Sequence, residues 1–389
     1  GPGEHPFQLN PLGRITEEFI YFAEKHPDPG IPYTPIAFLL DPAHGWDMTD
    51  YPQWPFEVSQ INRSDRALRE LFGAAFYPGP VREGEPASGE RQAFVPGIFG
   101  NIFDVVVASL VQSPKSNVQD RPTPGSADVP SAVSATSANK SRLLSPINAI
   151  DAYHAIIVGG RIDWTKEWVD KLGSYVRNGG TLVLNSAQIK GLPNDLLGVR
   201  MIGATAEAHN AKCLSPNEPE QDLHGQIFRY DRVEARGADV LIAVPTGDPL
   251  VTVNKVERGR VVFIALPDLL GEDERLTPFV AHLLVHLASE ATPVKVDGDV
   301  EYMINRTARG WVVTLFNDNG VFKPQQGMAE VDRSASVNVT ISLRGSGISN
   351  ANEWMSDREL TVKKQAGSDS VTLNIAAGGI AVVELRSGN

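Results

Sequence analysis

Short runs of consecutive apolar residues punctuate the first half of the chain, at 35–40 (PIAFLL), 105–108 (VVVA), 155–158 (AIIV) and 181–184 (TLVL). Runs of this length without alternation fit strands covered on both faces, as in a parallel sheet. Between the last two, residues 151–186 read as strand, Gly-Gly turn, amphipathic helix, Gly-Gly stop and strand, which is one βαβ unit. Helical spacing also predicts helices over 15–23 and over 64–77, where Ser64 is the cap and Leu68, Leu71 and Phe72 share a face. Residues 113–145 are rich in Ser, Pro, Ala and Asn and read as a mobile excursion. The first half is expected to be a three-layer α/β domain with at least four parallel strands.

After Ser186 the pattern shortens. Strands are expected at 200–202, 226–230 and 240–244 as antiparallel additions, and the turn ERGR at 257–260 joins 250–256 to 261–266 as a hairpin. A helix follows over 277–287, with Thr277 as cap and Pro278 at its first position. Its His282 and His286 have the spacing of a zinc pair, but no HExxH glutamate accompanies them, so they are read as packing at the helix edge. From 293 the chain alternates strand and turn without helices, at 300–304, 311–317, 336–343, 352–355, 359–362, 370–375 and 380–385. That spacing predicts an all-β, immunoglobulin-like sandwich. The expected division is a helical extension over 1–30, an α/β domain over 31–292 and a sandwich over 293–389.

Composition narrows the function classes. The chain has 389 residues, 42% of them hydrophobic, and a formal net charge of -12. This balance argues against nucleic acid and against an anionic membrane surface, both of which need clustered Lys and Arg. No apolar run approaches the roughly 20 residues of a membrane span. The single cysteine, Cys213, excludes an internal disulfide framework and a cysteine-rich metal site. The opening GPG lacks an initiator Met and matches what a tag-cleaving protease leaves, so a processed or engineered piece of something longer is expected.

Ligands of open parallel sheets bind beyond the carboxyl ends of the strands, which places Gly159, Gly160, Arg161, Asn185, Ser186 and Gln188 where a site would lie. Neither GxGxxG nor GxxxxGK[ST] is present, and no cofactor or metal is expected. Ser186 is a poor candidate nucleophile, because the glycine positions of a GxSxG elbow hold Leu184 and Gln188. The loop 41–47 (DPAHGWD) follows another strand. There Asp41, His44 and Asp47 could supply acid/base catalysis and Trp46 a platform for a sugar ring, or the loop is rigid and its Trp packs on a neighbouring domain. Asp163 reads as the cap of a helix beginning at Trp164, with membership of the pocket beside Arg161 as the alternative.

The stretch 151–186, followed by DPLVTVNKVERGRVVFIAL at 248–266, resembles the glutamine-amidotransferase-like domain behind the catalytic barrel of family 42 β-galactosidases and related enzymes. WMSDRELTV at 354–362 and LNIAAGGIAVVEL at 373–385 look like the small sandwich that ends such enzymes, and 3–41 looks like the last barrel helix running into the next domain. The resemblance implies a flavodoxin or class I glutamine-amidotransferase-like parallel sheet with helices on both faces. It also implies that the catalytic barrel is missing, because a barrel needs about 250 residues. True amidotransferases place a Cys on the strand-to-helix turn. Here that turn reads LNSAQ, with Asn185 or Ser186 in the nucleophile's place and Cys213 well beyond it in a segment read as a loop. The function so implied is that of an accessory region of a carbohydrate-active glycoside hydrolase, assembling subunits or shaping the substrate cleft. Its partners would be a carbohydrate substrate and either further copies of itself or the absent barrel, in the bacterial cytoplasm, periplasm or outside the cell. Two other readings remain open: a self-sufficient hydrolase working at the sheet's carboxyl edge, and a sugar-binding module without catalysis.

Overall fold

A computed structural model describes residues 11–40, 102–108, 146–159, 162–214, 222–267, 271–272, 275–276, 278–322, 330–345 and 347–387. The apolar runs form the parallel half of a nine-stranded sheet, ordered Phe103–Val107, Ile36–Leu40, Ala155–Gly159, Thr181–Asn185, Gly259–Ile264, Pro249–Val256, Asp239–Ala243, Val199–Cys213 and Asp222–Ala235. The first five pair in parallel. Every residue of Ile36–Leu40, Ala155–Gly159 and Thr181–Asn185 is buried, which explains their lack of alternation. Successive side chains go to opposite faces. Ile36, Phe38, Ile157 and Val183 pack with Leu283, Leu287 and Ala288 of the helix Pro278–Ala291. Ala37, Leu39, Ile156 and Leu182 pack with Trp168, Leu172 and Val176 of the helix Lys166–Arg177.

The expected flavodoxin or amidotransferase-like layout is nevertheless not adopted. The last four strands of the sheet pair antiparallel, and among the described residues 51% are strand against 19% helix. The cause is the stretch after Ser186. Its strands run as long antiparallel ribbons, Val199–Cys213 paired with Asp222–Ala235. Cys213, expected in a loop, is the buried last residue of one of these strands. The helix cap also moves. Thr165 accepts from Trp168 N at 3.3 Å, and the helix starts at Lys166, so Asp163 is not its cap.

The carboxyl-terminal part is a two-sheet sandwich. One sheet is ordered Ile31–Pro32, Glu301–Thr307, Gly310–Phe316, Ile380–Ser387, Ile348–Glu353 and Arg358–Glu359; the other is Val294–Asp297, Val337–Arg344 and Ser368–Ile375. Ile304, Val313, Leu315, Ile341, Val371 and Val383 fill the space between. The same apolar cluster continues into the nine-stranded sheet and the helix Pro278–Ala291. At that helix's end, Arg344 Nη2 from the sandwich donates to Glu290 O at 2.8 Å, and Tyr33 OH donates to Ala291 O at 2.9 Å. Helix carbonyls that have no intrahelical partner are thus satisfied by the neighbouring layer.

Candidate functional site

The best-defined feature at the sheet's carboxyl edge is the turn that leaves Thr181–Asn185. Asn185 and Gln188 close a capping box: Asn185 Oδ1 accepts from Ala187 N at 3.0 Å, and Gln188 Oε1 accepts from Asn185 N at 3.0 Å. Gln188 Nε2 donates to Val158 O at 2.8 Å, and Trp164 Nε1 donates to Gln188 O. Ser186 N donates to Leu266 O at 3.2 Å. One turn therefore ties together the carboxyl ends of three strands and the approach to the helix Lys166–Arg177. Asn185 and Gln188 are each 1% exposed. Their placement makes them a framework under the edge, and of the turn's side chains only Ser186 has a polar atom, Oγ, that is buried without a partner among the described residues.

Of the residues singled out by sequence, the structure brings Asn185, Ser186 and Gln188 together. Asp41, His44, Trp46, Asp47 and Arg161 lie outside the described residues, as do the 64–77 helix and the 113–145 excursion. On the helix Pro278–Ala291, His286 is exposed, with Nε2 3.6 Å from Glu290 Oε1, while the His282 side chain is not among those described. No group of three or more His, Cys, Asp or Glu among the described residues is arranged to hold a metal. No described helix is long and apolar enough to cross a membrane.

Other polar clusters have no motif that could have announced them. At the amino edge of the parallel strands, Asp104 Oδ2 accepts from Thr34 Oγ1 at 2.8 Å and from Tyr153 OH at 3.0 Å. Burial first, then the Asp104 bond, pushes the Tyr153 phenol up to about 12. In the sandwich, burial and then the charge of Asp318 push Glu301 up to about 7, and its Oε1 is buried with no partner among the described residues. Glu353 is only 5% exposed. Burial opposes its charge, but donors from Ser356, Met355 and Val382 outweigh burial and hold its carboxyl below the ordinary range.

No family model and no curated protein sequence matches the chain. Among solved structures it is similar to α-L-fucosidase isoenzyme 2 from Paenibacillus thiaminolyticus, at 12% identity and a TM-score of 0.51, over 97% of this chain and 52% of that one. A catalytic mutant of a GH42 β-galactosidase from G. stearothermophilus matches at 12% identity and a TM-score of 0.46, over 92% of this chain and 41% of that one. The β-galactosidase from Bacillus circulans sp. alkalophilus matches at 13% identity and a TM-score of 0.38, over 61% of this chain and 33% of that one. The chain thus spans about half or less of each of these proteins. At these identities the likeness is one of fold, and the fold is one that a glycoside hydrolase carries.

Proposed function

We propose that this chain is an accessory region of a carbohydrate-active glycoside hydrolase, which assembles subunits or shapes the cleft while the bond-breaking carboxylates lie elsewhere. The observation that carries the reading is the correspondence with the α-L-fucosidase, which spans 97% of this chain but only 52% of that one. Two features add support. The carboxyl-edge turn spends its Asn185 and Gln188 side chains on internal bonds. The helix Pro11–Lys25 leaves Ile15, Phe19, Ile20 and Tyr21 between 52% and 70% exposed, on more than one of its faces. Exposed large apolar side chains in such a group fit a surface that a larger body covers, and residues 1–30 are on this reading the remnant of a catalytic barrel's last helix. On this reading 31–292 and 293–389 are the α/β and sandwich parts, and the partners are a carbohydrate and either further copies of the chain or the catalytic barrel.

Trp46 separates this reading from a sugar-binding module. Sedimentation velocity and glycan-binding assays on the chain and on Trp46→Ala are expected to show self-association weakened by the substitution and no glycan affinity to lose. Glycan affinity abolished in Trp46→Ala with the oligomer unchanged would overturn the assembly role.

A further inference from the structure

Three side chains tie the helix Pro11–Lys25 to the sandwich. The His26 ring, just past the helix end, stacks on Trp354 with centroids 4.3 Å apart and planes 8° from parallel. Phe22 lies 4.9 Å from His26 and packs against Trp354, Val312 and Val382. Lys25 Nζ is 3.1 Å from Asp357 Oδ2. The rest of the helix is exposed, so this small aromatic patch sets its direction. On the receiving surface, the Glu353 carboxylate pins the Trp354–Ser356 turn to the strand Ile380–Ser387, accepting from Met355 N, Ser356 N and Val382 N. His26 Nε2 is buried and has no acceptor among the described residues.

We propose that His26 is a pH-sensitive latch, which holds the helix Pro11–Lys25 against the sandwich when its imidazole is neutral and releases it in acid.

A neutral imidazole can leave Nε2 as an unshared lone pair against the indole at modest cost. A protonated one must bury an N–H donor with nowhere to donate. Imidazolium over indole recovers part of that cost. The surrounding charges do not reverse the balance. Lys25 on the same helix opposes protonation, Asp357 on the facing turn is paired with Lys25, and Glu384 on the strand Ile380–Ser387 is bonded to Arg386. The direction agrees: burial first, then Lys25, holds His26 below its ordinary value against the pull of Asp357 and Glu384. With the docked pKa depressed, docking strength is complete above the ordinary histidine range and is lost as pH falls through the docked value. The patch is small enough for that loss to matter, because an isolated helix of this length is itself marginal in water.

The test is a pulsed electron spin resonance distance measurement on the full chain, with spin labels at Ile15→Cys and Lys363→Cys in a Cys213→Ser background, at pH 8 and pH 5. The expected result is one narrow distance at pH 8 and a broad distribution at pH 5, with far-UV circular dichroism unchanged. His26→Phe keeps a stacking ring that cannot protonate and should stay narrow at both pH values; His26→Ala should be broad at both. A narrow distance at pH 5 in the parent, broadening at pH 5 that persists in His26→Phe, or loss of the whole fold at pH 5 would each overturn the proposal.

Discussion

Glu353→Gln should destabilise the sandwich by about 2 kcal/mol at neutral pH. The Glu353 carboxylate accepts from Ser356 N at 2.8 Å, Met355 N at 2.9 Å, Val382 N at 3.2 Å and the Ser356 hydroxyl. Hydrogen bonds to a charged acceptor contribute about 1.5–3 kcal/mol each, while burying the carboxylate costs several kcal/mol in return. A glutamine keeps one acceptor oxygen and turns an amide NH2 toward the remaining donors. At least one buried N–H is then unsatisfied, at about 1–3 kcal/mol, partly offset because no charge is buried. Because Glu353 is held below its ordinary value of 4.5, its contribution is complete above that pH and is lost as pH falls through the lower, folded value. Urea unfolding followed by tryptophan fluorescence at pH 7 and pH 3 measures both effects. A loss below about 0.5 kcal/mol, less than even one weak hydrogen bond, would refute the reasoning, as would a gap between parent and variant that does not narrow in acid.

Other substitutions probe the remaining buried groups. Glu301 is raised from 4.5 to about 7, so its effect on stability is favourable below pH 4.5 and is lost as pH rises through 7. Its full shift would correspond to about 3 kcal/mol, but the partly solvated carboxyl is screened. Glu301→Gln should therefore gain about 1 kcal/mol on the parent between pH 5 and pH 8, seen in thermal melts. Thr252 is 1% exposed and its Oγ1 has no partner among the described residues, so Thr252→Val should stabilise by about 1 kcal/mol in urea unfolding. Arg344→Ala removes the donor to Glu290 O and should cost about 1 kcal/mol, with earlier hydrogen exchange in the last turn of Pro278–Ala291.

The central parallel strands Ile36–Leu40, Ala155–Gly159 and Thr181–Asn185 were legible because burial on both faces leaves a signal that survives in one sequence, a run without polar interruption, whereas Phe103–Val107 lies at the sheet edge with Val105 and Val107 exposed. The ribbon Val199–Cys213 with Asp222–Ala235 was legible only as fragments. Residues 202–205 are exposed in succession and sit at a register shift between Met201 and Thr205, so no period of two persists across them. Cys213 looked like loop because the proline- and acid-rich stretch after it dominates the local composition. Asp163 and Thr165 are both competent caps two residues apart, and only the register of the helix decides between them. The carboxyl-edge turn carries a readable sign: Asn185 with Gln188 three residues on is the N-x-x-Q pattern of a capping box, which points to framework before ligand. Trp354 and His26 meet from opposite ends of the sequence, so no local pattern could pair them.

The accessory-region account is tested most directly by a hydrolysis screen of the full chain against a broad panel of oligosaccharides and aryl glycosides, with Asp41→Ala and His44→Ala as controls. The account predicts no turnover above buffer for any of the three proteins. Turnover by the parent that is lost in either variant would contradict it and make the loop at the sheet's carboxyl edge an active site.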